Sequence, residues 1–407
     1  MGVKSNILFG IPQNNPTEQG RRQLVVSYAE KIGTIYPKID DLLCRPALST
    51  CWRVCANTSR PLRQTTSFEL TKIQENFMSL PVSMAVIEMR EPGGPDVLQS
   101  STRPLPVLKD HEILVKVSAA GVNGPDLVQR RGHYPPPKGA SDLLGLEVSG
   151  EVVAVGATQT LWAVGDKICG LTNGGGYAEY VAIDAAHCLP IPDGISLIDA
   201  AGLPETYFTV WSNVFFNHKL PESGNFLVHG GAGGIGSTAI QLGAAMGLSV
   251  YTTAGDAASC AYCESLGAHR AINFKEEDFV DILREAGGAD IILDIIGGDY
   301  IARNIKAARH DARMIQLAFN AGSRVEIDLM PVMLKRLSFT GSTLRSRPDQ
   351  FKADVAADLK AVVWPLFASD ASRLRATTYT SFPLADAGNA HALMESANQH
   401  GKILLTI

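Results

Sequence analysis

A glycine-rich turn between an apolar strand and a helix is the segment of this sequence with the most recognisable chemistry. It contains the motif Gly231-x-Gly233-x-x-Gly236, with Gly234 and Ile235 at the helix start. In such a turn the first glycine permits a sharp bend, the second lets a pyrophosphate approach the backbone, and the third lets helix pack on strand. The helix start also offers free N–H groups and a partial positive charge to phosphates. The spacing and its context predict dinucleotide binding; the alternative is a purely structural turn.

The end of the next apolar strand bears on which dinucleotide binds. Ala254 and Gly255 stand there, and such small residues leave room for a 2′-phosphate. An acidic residue at that point would instead hydrogen-bond the ribose hydroxyls and repel the phosphate. Asp256 follows, and it either faces the ribose or caps the next helix. These residues by themselves leave both NADPH and NADH open as the cofactor.

Two regions of different character must position these residues. From Met84 the pattern is short strands such as EILVKVSAAGV and LEVSGEVVAVG, separated by proline and glycine, which indicates β structure. From about Asn225 apolar strands such as NFLVH and ADIILDII alternate with helical segments, which predicts a doubly wound parallel sheet. The last residues, KILLTI, form another strand. A chain of 407 residues also favours two domains over one.

Residues 1–83 differ from the rest of the chain. They lack strand alternation, and from Leu42 to Phe68 they contain arginines among Ser and Thr but no acidic residue. This composition is similar to that of a targeting peptide, although acidic residues precede it. We expect a flexible extension or a start codon assigned too early, with Met84 as a sensible start. Mitochondrial targeting is the alternative.

Composition excludes several classes of partner. A net charge of −5 gives no electrostatic basis for binding nucleic acid or an anionic membrane surface. There is no run of about 18 apolar residues that would span a bilayer. Seven cysteines, an odd number with irregular spacing, do not indicate a disulfide framework. These features predict reduced thiols and a cytoplasmic enzyme.

From Met84 onward the sequence resembles the quinone oxidoreductase (zeta-crystallin-like) branch of the medium-chain dehydrogenase/reductase superfamily. The similar segments, besides the glycine turn, are EPGGPDVL, AAGVNGPDLVQRRGHYPPP, LGLEVSGEVVAVG, VGDKICGL, GGGYAEYV, ILDIIGG and GKILL. The resemblance implies an α/β fold in which a Rossmann doubly wound parallel sheet is inserted into a GroES-like β domain. It assigns residues 84–200 and 345–407 to the catalytic domain and 201–344 to the Rossmann domain. It also implies a homodimer with its active site between the domains.

The same resemblance implies a site without zinc. Zinc-dependent members use a Cys where this chain has Asn123 and a His where it has Leu146, and neither replacement supplies a thiolate or imidazole. Cys260 and Cys263 share one face of a predicted helix, and we interpret them as ordinary helix residues. Without a Lewis acid the acceptor must be intrinsically electrophilic, as a quinone or an α,β-unsaturated carbonyl compound is. A nicotinamide would supply the hydride.

The resemblance also assigns candidate site residues. Asn123 is placed beside the nicotinamide and acceptor, with a loop-fixing amide as the alternative role. Tyr134 is placed at the mouth of the cleft, where its hydroxyl would donate to a carbonyl oxygen; surface packing is the alternative. Further cofactor contacts are expected from Thr209, Gly255, Asp256, Ser259, Phe274, Phe319 and Leu344. The alternatives are an ordinary helix position for Thr209 and core positions for Phe319 and Leu344. The family leans to NADPH, and its NADPH-preferring members carry Lys or Arg near residues 257–259 and Tyr at 274. This chain lacks both, although Arg270 and Lys275 are near in sequence. We therefore expect only a weak preference for NADPH, with NADH as the alternative cofactor.

Reduction of quinones or α,β-unsaturated carbonyl compounds is therefore the expected function. One alternative is an enoyl or enone reductase of a biosynthetic pathway, which would use the same cleft for a larger acceptor. The other is a non-catalytic cofactor-binding protein. Asn123, Tyr134 and the intact glycine turn favour an enzyme.

Overall fold

The computed structural model describes residues 80–221, 223–369, 374–397 and 399–407. Of the predicted extension at residues 1–83, only the last four residues fall within these ranges. Within them, no helix combines the length and apolar character needed to cross a bilayer.

The first part of the described chain is built mainly from strands. They are β1 (Ser83–Met89), β2 (Leu98–Pro104), β3 (Glu112–Val122), β4 (Glu147–Val155), β5 (Lys167–Leu171), β6 (Tyr180–Asp184) and β7 (Cys188–Pro190). One short helix, α1 (Gly124–Arg130), follows β3, and α2 (Pro204–Val210) leads out of this region. In β3, Ile113, Val115 and Val117 alternate onto one buried face, as the strand pattern predicted.

The second part alternates strand and helix. Its elements are β8 (Asn225–His229), α3 (Gly234–Ala245), β9 (Ser249–Ala254), α4 (Ala257–Ser265), β10 (Arg270–Asn273), α5 (Phe279–Glu285), β11 (Ala289–Asp294), α6 (Tyr300–Ala307), β12 (Ala308–Gln316), α7 (Met330–Lys335) and β13 (Ser338–Gly341). The six strands are parallel, in the order β10-β9-β8-β11-β12-β13. The order reverses beside β8, so the glycine turn that follows β8 lies at the switch point where such sheets bind ligands.

The chain then returns to its first sheet. After α8 (Asp349–Asp358) come β14 (Thr378–Pro383), α9 (Ala387–Glu395) and β15 (Lys402–Thr406). β15 pairs antiparallel with β3, which gives the order β14-β15-β3-β4-β5-β7 with β6 also on β3. The predicted fold is confirmed: a doubly wound parallel sheet is inserted into a mainly antiparallel one.

Candidate active site

The glycine turn has the shape of a phosphate cradle. Gly230 has the positive φ of the turn, +73°, so the sharp bend lies one residue earlier than the motif predicted. A Cβ at Gly231 would lie 2.0 Å from Thr252 Oγ1, and one at Gly236 would lie 2.2 Å from the Gly230 carbonyl oxygen. These two glycines therefore permit close packing within the protein. At Gly233 the nearest atom to an added Cβ is 3.6 Å away, which leaves open space where a pyrophosphate would fit.

The last strand of the chain reaches this turn. The Gly401 N–H donates to the Ala232 carbonyl oxygen at 2.7 Å. A Cβ at Gly234 would lie 2.9 Å from Cδ of Lys402. Residues at the end of the sequence thus form one wall of the cofactor cradle.

Lys402 joins a buried polar network at the junction of β3, β4 and β15. Its Nζ lies 2.6 Å from Glu147 Oε1 and donates to Asn123 Oδ1, also at 2.6 Å. Asn123 Nδ2 donates to Glu147 Oε1 at 2.8 Å, and the Glu205 N–H donates to Glu147 Oε2 at 2.8 Å. Side-chain exposure is 4% for Lys402 and 0% for Glu147. Water is excluded, so each charge depends on these partners.

This network gives Asn123 a positioning role, because both ends of its amide group are held by side chains of the protein. The interpretation as a loop-fixing amide therefore has direct geometric support. Contact between Asn123 and an acceptor stays a prediction.

Asp126 fixes the start of α1 directly behind Asn123. Its two carboxylate oxygens accept from the Asn123 and Gly145 N–H groups, each at 2.9 Å. Burial of the side chain raises its pKa to about 6 despite these hydrogen bonds. Asp126 thus ties the loop that carries Gly145 to the loop that carries Asn123.

Tyr134 is half-buried and lies next to a fixed cation. The guanidinium carbon of Arg345 is 5.5 Å from the centre of the Tyr134 ring. Arg345 is held by Gln129 Oε1 at 2.7 Å and by the Asn173 carbonyl oxygen at 2.6 Å. Burial, and then the nearby Glu205 carboxyl, raise the pKa of Tyr134. The hydroxyl group therefore stays protonated and able to donate a hydrogen bond.

Three residues of this region were missed by sequence reasoning: Glu147, Glu205 and Lys402. Each is a charged residue inside an apolar segment, in LGLEVSG, AGLPETYF and GKILL respectively. Charged residues are rarely fully buried unless they are paired, so isolated charges in apolar runs were the available signal. The pairing itself joins residues as far apart as Asn123 and Lys402, and no local pattern reports it.

The residues expected to contact the adenosine part of the cofactor lie together near the carboxyl ends of β9 and β10. A Cβ at Gly255 would lie 3.5 Å from the Phe274 ring and 4.0 Å from Lys275 Nζ. Asp256 caps α4: Oδ1 accepts from the Ser259 N–H at 2.8 Å and Oδ2 from the Ser259 hydroxyl at 3.0 Å. The hydrogen bonds from Ser259 lower the pKa of Asp256. Of the two roles expected for Asp256, the structure supports the helix cap.

The other expected cofactor residues are more dispersed. Thr209 is partly buried on α2, but the neighbouring Thr206 is the residue that contacts α3, where its Oγ1 accepts from Thr238 at 2.9 Å. Phe319 follows β12 and is 46% exposed, whereas Leu344 follows β13 and packs in the main core. Contact of Thr209, Phe319 and Leu344 with a nicotinamide dinucleotide stays a prediction.

Leu146, at the expected zinc-ligand position, is buried beside Glu147. Over the ranges that the structure describes, no group of three or more His, Cys, Asp or Glu side chains is arranged to hold a metal ion.

Comparison with known proteins identifies both parts of the fold. The alcohol dehydrogenase GroES-like domain family matches residues 109–193, and the zinc-binding dehydrogenase family matches residues 234–361. Quinone oxidoreductase of Sus scrofa is 30% identical over 334 residues, which cover 80% of this chain and 98% of that protein. Quinone oxidoreductase 1 of Escherichia coli K12 is 29% identical over 327 residues, covering 78% and 98%. The crystal structure of the Escherichia coli quinone oxidoreductase complexed with NADPH matches with a TM-score of 0.68 and 27% identity, covering 79% of this chain and all of that one.

Replacement of Gly233 by Val tests the cradle. The side chain would enter open space, so we expect a folded protein whose Kd for NADPH rises at least about tenfold, because the valine occupies the pyrophosphate position. Fluorescence titration of the reduced cofactor measures this Kd. Gly236→Val is the contrasting variant: its Cβ would meet backbone at 2.2 Å, so it should lose thermal stability first. Unchanged NADPH binding by folded Gly233→Val would show that the turn is only structural.

Lys402→Met tests the buried network. Glu147 would lose its counter-ion in a buried site, so the free energy of unfolding should fall by about 3–5 kcal/mol. Urea denaturation followed by circular dichroism measures the loss, and adding Glu147→Gln should recover part of it. Arg336→Met, which breaks an exposed pair with Asp311, is the control and should change stability little. Equal losses for Lys402→Met and Arg336→Met would contradict the importance assigned to the network.

Proposed function

This chain belongs to the quinone oxidoreductase branch of the medium-chain dehydrogenase/reductase superfamily, and we propose that it reduces quinones or α,β-unsaturated carbonyl compounds with NADPH and without a metal ion. The observation that carries the proposal is the open cradle at Gly233, joined through Gly401 and Lys402 to the network that holds Asn123. A cofactor site and a second polar site are therefore part of one connected structure. This arrangement favours an enzyme that transfers a hydride between a bound cofactor and a bound substrate over a protein that only binds the cofactor.

The chemistry divides between cofactor and protein. A bound nicotinamide supplies a hydride at its C4 atom. The chain supplies orientation through the rigid Asn123–Glu147–Lys402 network, because reacting groups held in place react faster than freely diffusing ones. The Tyr134 hydroxyl donates a hydrogen bond to the acceptor oxygen where negative charge develops. Arg345 holds the tyrosine ring in position.

Lys275 is the residue we propose for recognition of the 2′-phosphate. Its ammonium group lies beside Gly255, and in the described part of the chain it has no hydrogen bond or ion pair. Arg270, the other nearby cation, is paired with Glu277 at 2.6 Å. A single charge-assisted contact is worth about 1.5–3 kcal/mol, which is enough for a preference of roughly tenfold or more.

The decisive experiment measures NADPH and NADH oxidation by the full chain against a panel of quinones and enones. We expect turnover with at least one acceptor class, no loss of activity after treatment with a chelator, and a higher kcat/KM for NADPH. Lys275→Met should reduce that cofactor ratio to near one by raising KM for NADPH alone. Lys167→Met, on β5 of the first sheet, is the matched control and should leave the ratio unchanged.

Three outcomes would contradict these proposals. Binding of NADPH without oxidation by any acceptor would favour the non-catalytic alternative. Stoichiometric zinc whose removal abolishes activity would overturn the metal-free mechanism. An unchanged cofactor ratio in Lys275→Met would mean that the 2′-phosphate is recognised elsewhere.

We also propose a homodimer formed through the edge of the parallel sheet. β13 is an edge strand whose four residues are all exposed, and such an edge leaves backbone groups available to a second chain. Exposed apolar side chains lie on β13 and the adjoining α7 segment: Leu329, Met330, Met333, Leu334 and Phe339. Such a patch is typical of a protein interface, and a second copy of the chain would cover it.

Light scattering of the full chain should give the mass of a dimer. Phe339→Asp combined with Met333→Lys should give a monomer, because both changes place charge in the covered patch. Val107→Asp changes an apolar residue that is 89% exposed elsewhere and should leave the mass unchanged. A monomeric wild-type chain at micromolar concentration would disprove the dimer.

A further inference from the structure

Glu205, on α2, carries a partly buried carboxyl group beside the network of Lys402 and Glu147. Its backbone N–H binds Glu147, but in the described part of the chain no donor reaches its own side-chain oxygens. The remaining exposure of Glu205 leaves its carboxyl group accessible to a small molecule.

The position of Glu205 is between the cofactor cradle and Tyr134. The next residue, Thr206, contacts α3 through Thr238 and lies 3.6 Å from the position of a Cβ at Gly234. On the other side, the Glu205 carboxyl is close enough to Tyr134 to raise the pKa of its hydroxyl group. An acceptor bound between the start of α3 and Tyr134 would therefore lie near Glu205.

The surroundings of Glu205 favour its neutral form. Burial is the main cause, and the negative charge of Glu147 is the second; together they raise its pKa to about 8. Lys402 opposes this shift, but that ammonium group is already bound to Glu147 and Asn123. The charged and titratable groups that face Glu205 are Glu147 on β4, Asp126 on α1, Tyr134 after α1, Arg345 after β13, Lys352 on α8 and Lys402 on β15.

We propose that the Glu205 carboxyl group supplies the proton that the acceptor takes up after hydride transfer. This inference rests on the proposed reductase function. A bound reduced nicotinamide would give up its C4 hydrogen as a hydride, which would bond to the acceptor and leave the acceptor oxygen negatively charged. The Glu205 O–H bond then breaks and a new O–H bond forms on that oxygen. Glu205 is left as a carboxylate, which recovers a proton from water.

Two other acids lie nearby, and neither is as well suited. Tyr134 has a pKa that its environment moves upward from 10, so it is a poor acid at neutral pH although a good hydrogen-bond donor. Asp126 is 1% exposed, and both of its oxygens already accept backbone N–H groups. General acids work best when their pKa is close to the operating pH, and Glu205 combines that condition with access.

The test compares Glu205→Gln and Glu205→Asp with the wild-type full chain, using a quinone and an enone. We expect Glu205→Gln to lower kcat by about a hundredfold, the lower end of general-acid contributions, with little change in KM for NADPH.

In the wild type kcat/KM should fall as pH rises through about 8, because the carboxyl group loses its proton. Glu205→Asp should keep this alkaline decrease with reduced kcat. Glu112→Gln, a buried glutamate at the far end of β3, is the control and should resemble the wild type.

A second measurement does not depend on turnover. Infrared difference spectra of the cofactor-free wild type between pH 7 and pH 9 should show the loss of one protonated carboxyl band, which Glu205→Gln should lack. Wild-type rates and an unchanged alkaline decrease in Glu205→Gln would overturn the Glu205 assignment and leave the reductase function intact. Absence of that band would also overturn it. A wild-type chain that reduces no acceptor would overturn the reductase function, and the role of Glu205 with it.

Discussion

The buried contact of Lys402 with Glu147 and Asn123 is the interaction on which the rest of the site depends. It places one positive charge near the carboxyl groups of Asp126, Glu147 and Glu205, of which the first two are buried from water. Removing ions from water is expensive, and a buried pair is stable only when its remaining hydrogen-bonding groups are also satisfied. Here they are satisfied by an amide side chain and a backbone N–H group. Loss of any one contact would leave a buried charge or polar group without a partner, so the contacts stabilise one another.

This constraint explains why the end of the chain returns to the first sheet. β15 pairs with β3 and brings Lys402 to the end of the strand that leads into Asn123. The same strand brings Gly401 against the glycine turn, where its φ of +87° and the close Thr377 carbonyl oxygen exclude a side chain. One short strand therefore connects the network to the cofactor cradle. The two parts of the site are both contacted by the same three residues, Gly401, Lys402 and Ile403.

Different surroundings give the neighbouring carboxyl groups of this site different roles. Asp126 accepts two backbone N–H groups and fixes two loops. Among the described residues no donor reaches the Glu205 carboxyl group, which remains accessible. Glu147 has the lysine as its counter-ion. Separation of the pKa values of neighbouring carboxyl groups by their surroundings is a general way to assign acid and structural roles. In this site the surroundings are set by elements from both halves of the chain, α1, β4, α2 and β15.

The sequence alone determined the elements and the fold class. Strand and helix periodicity located β3, β8 and β15 almost to the residue, because side-chain periodicity is a local property. Glycine spacing located the cradle, since steric freedom at a turn depends on the residues of the turn itself. Tyr134 and Asn123 came from family resemblance, which also correctly implied that the chain would return to its first domain.

Only the tertiary structure decided what these residues contact. It showed Asn123 held at both ends, Asp256 engaged as a helix cap, and the positive φ at Gly230 and not at Gly231. It also brought Lys402 to Asn123, 279 residues away in sequence. The pKa of Glu205 likewise depends on groups from several elements. Burial and charge pairing are properties of the packed chain, and a local pattern of residue types does not contain them.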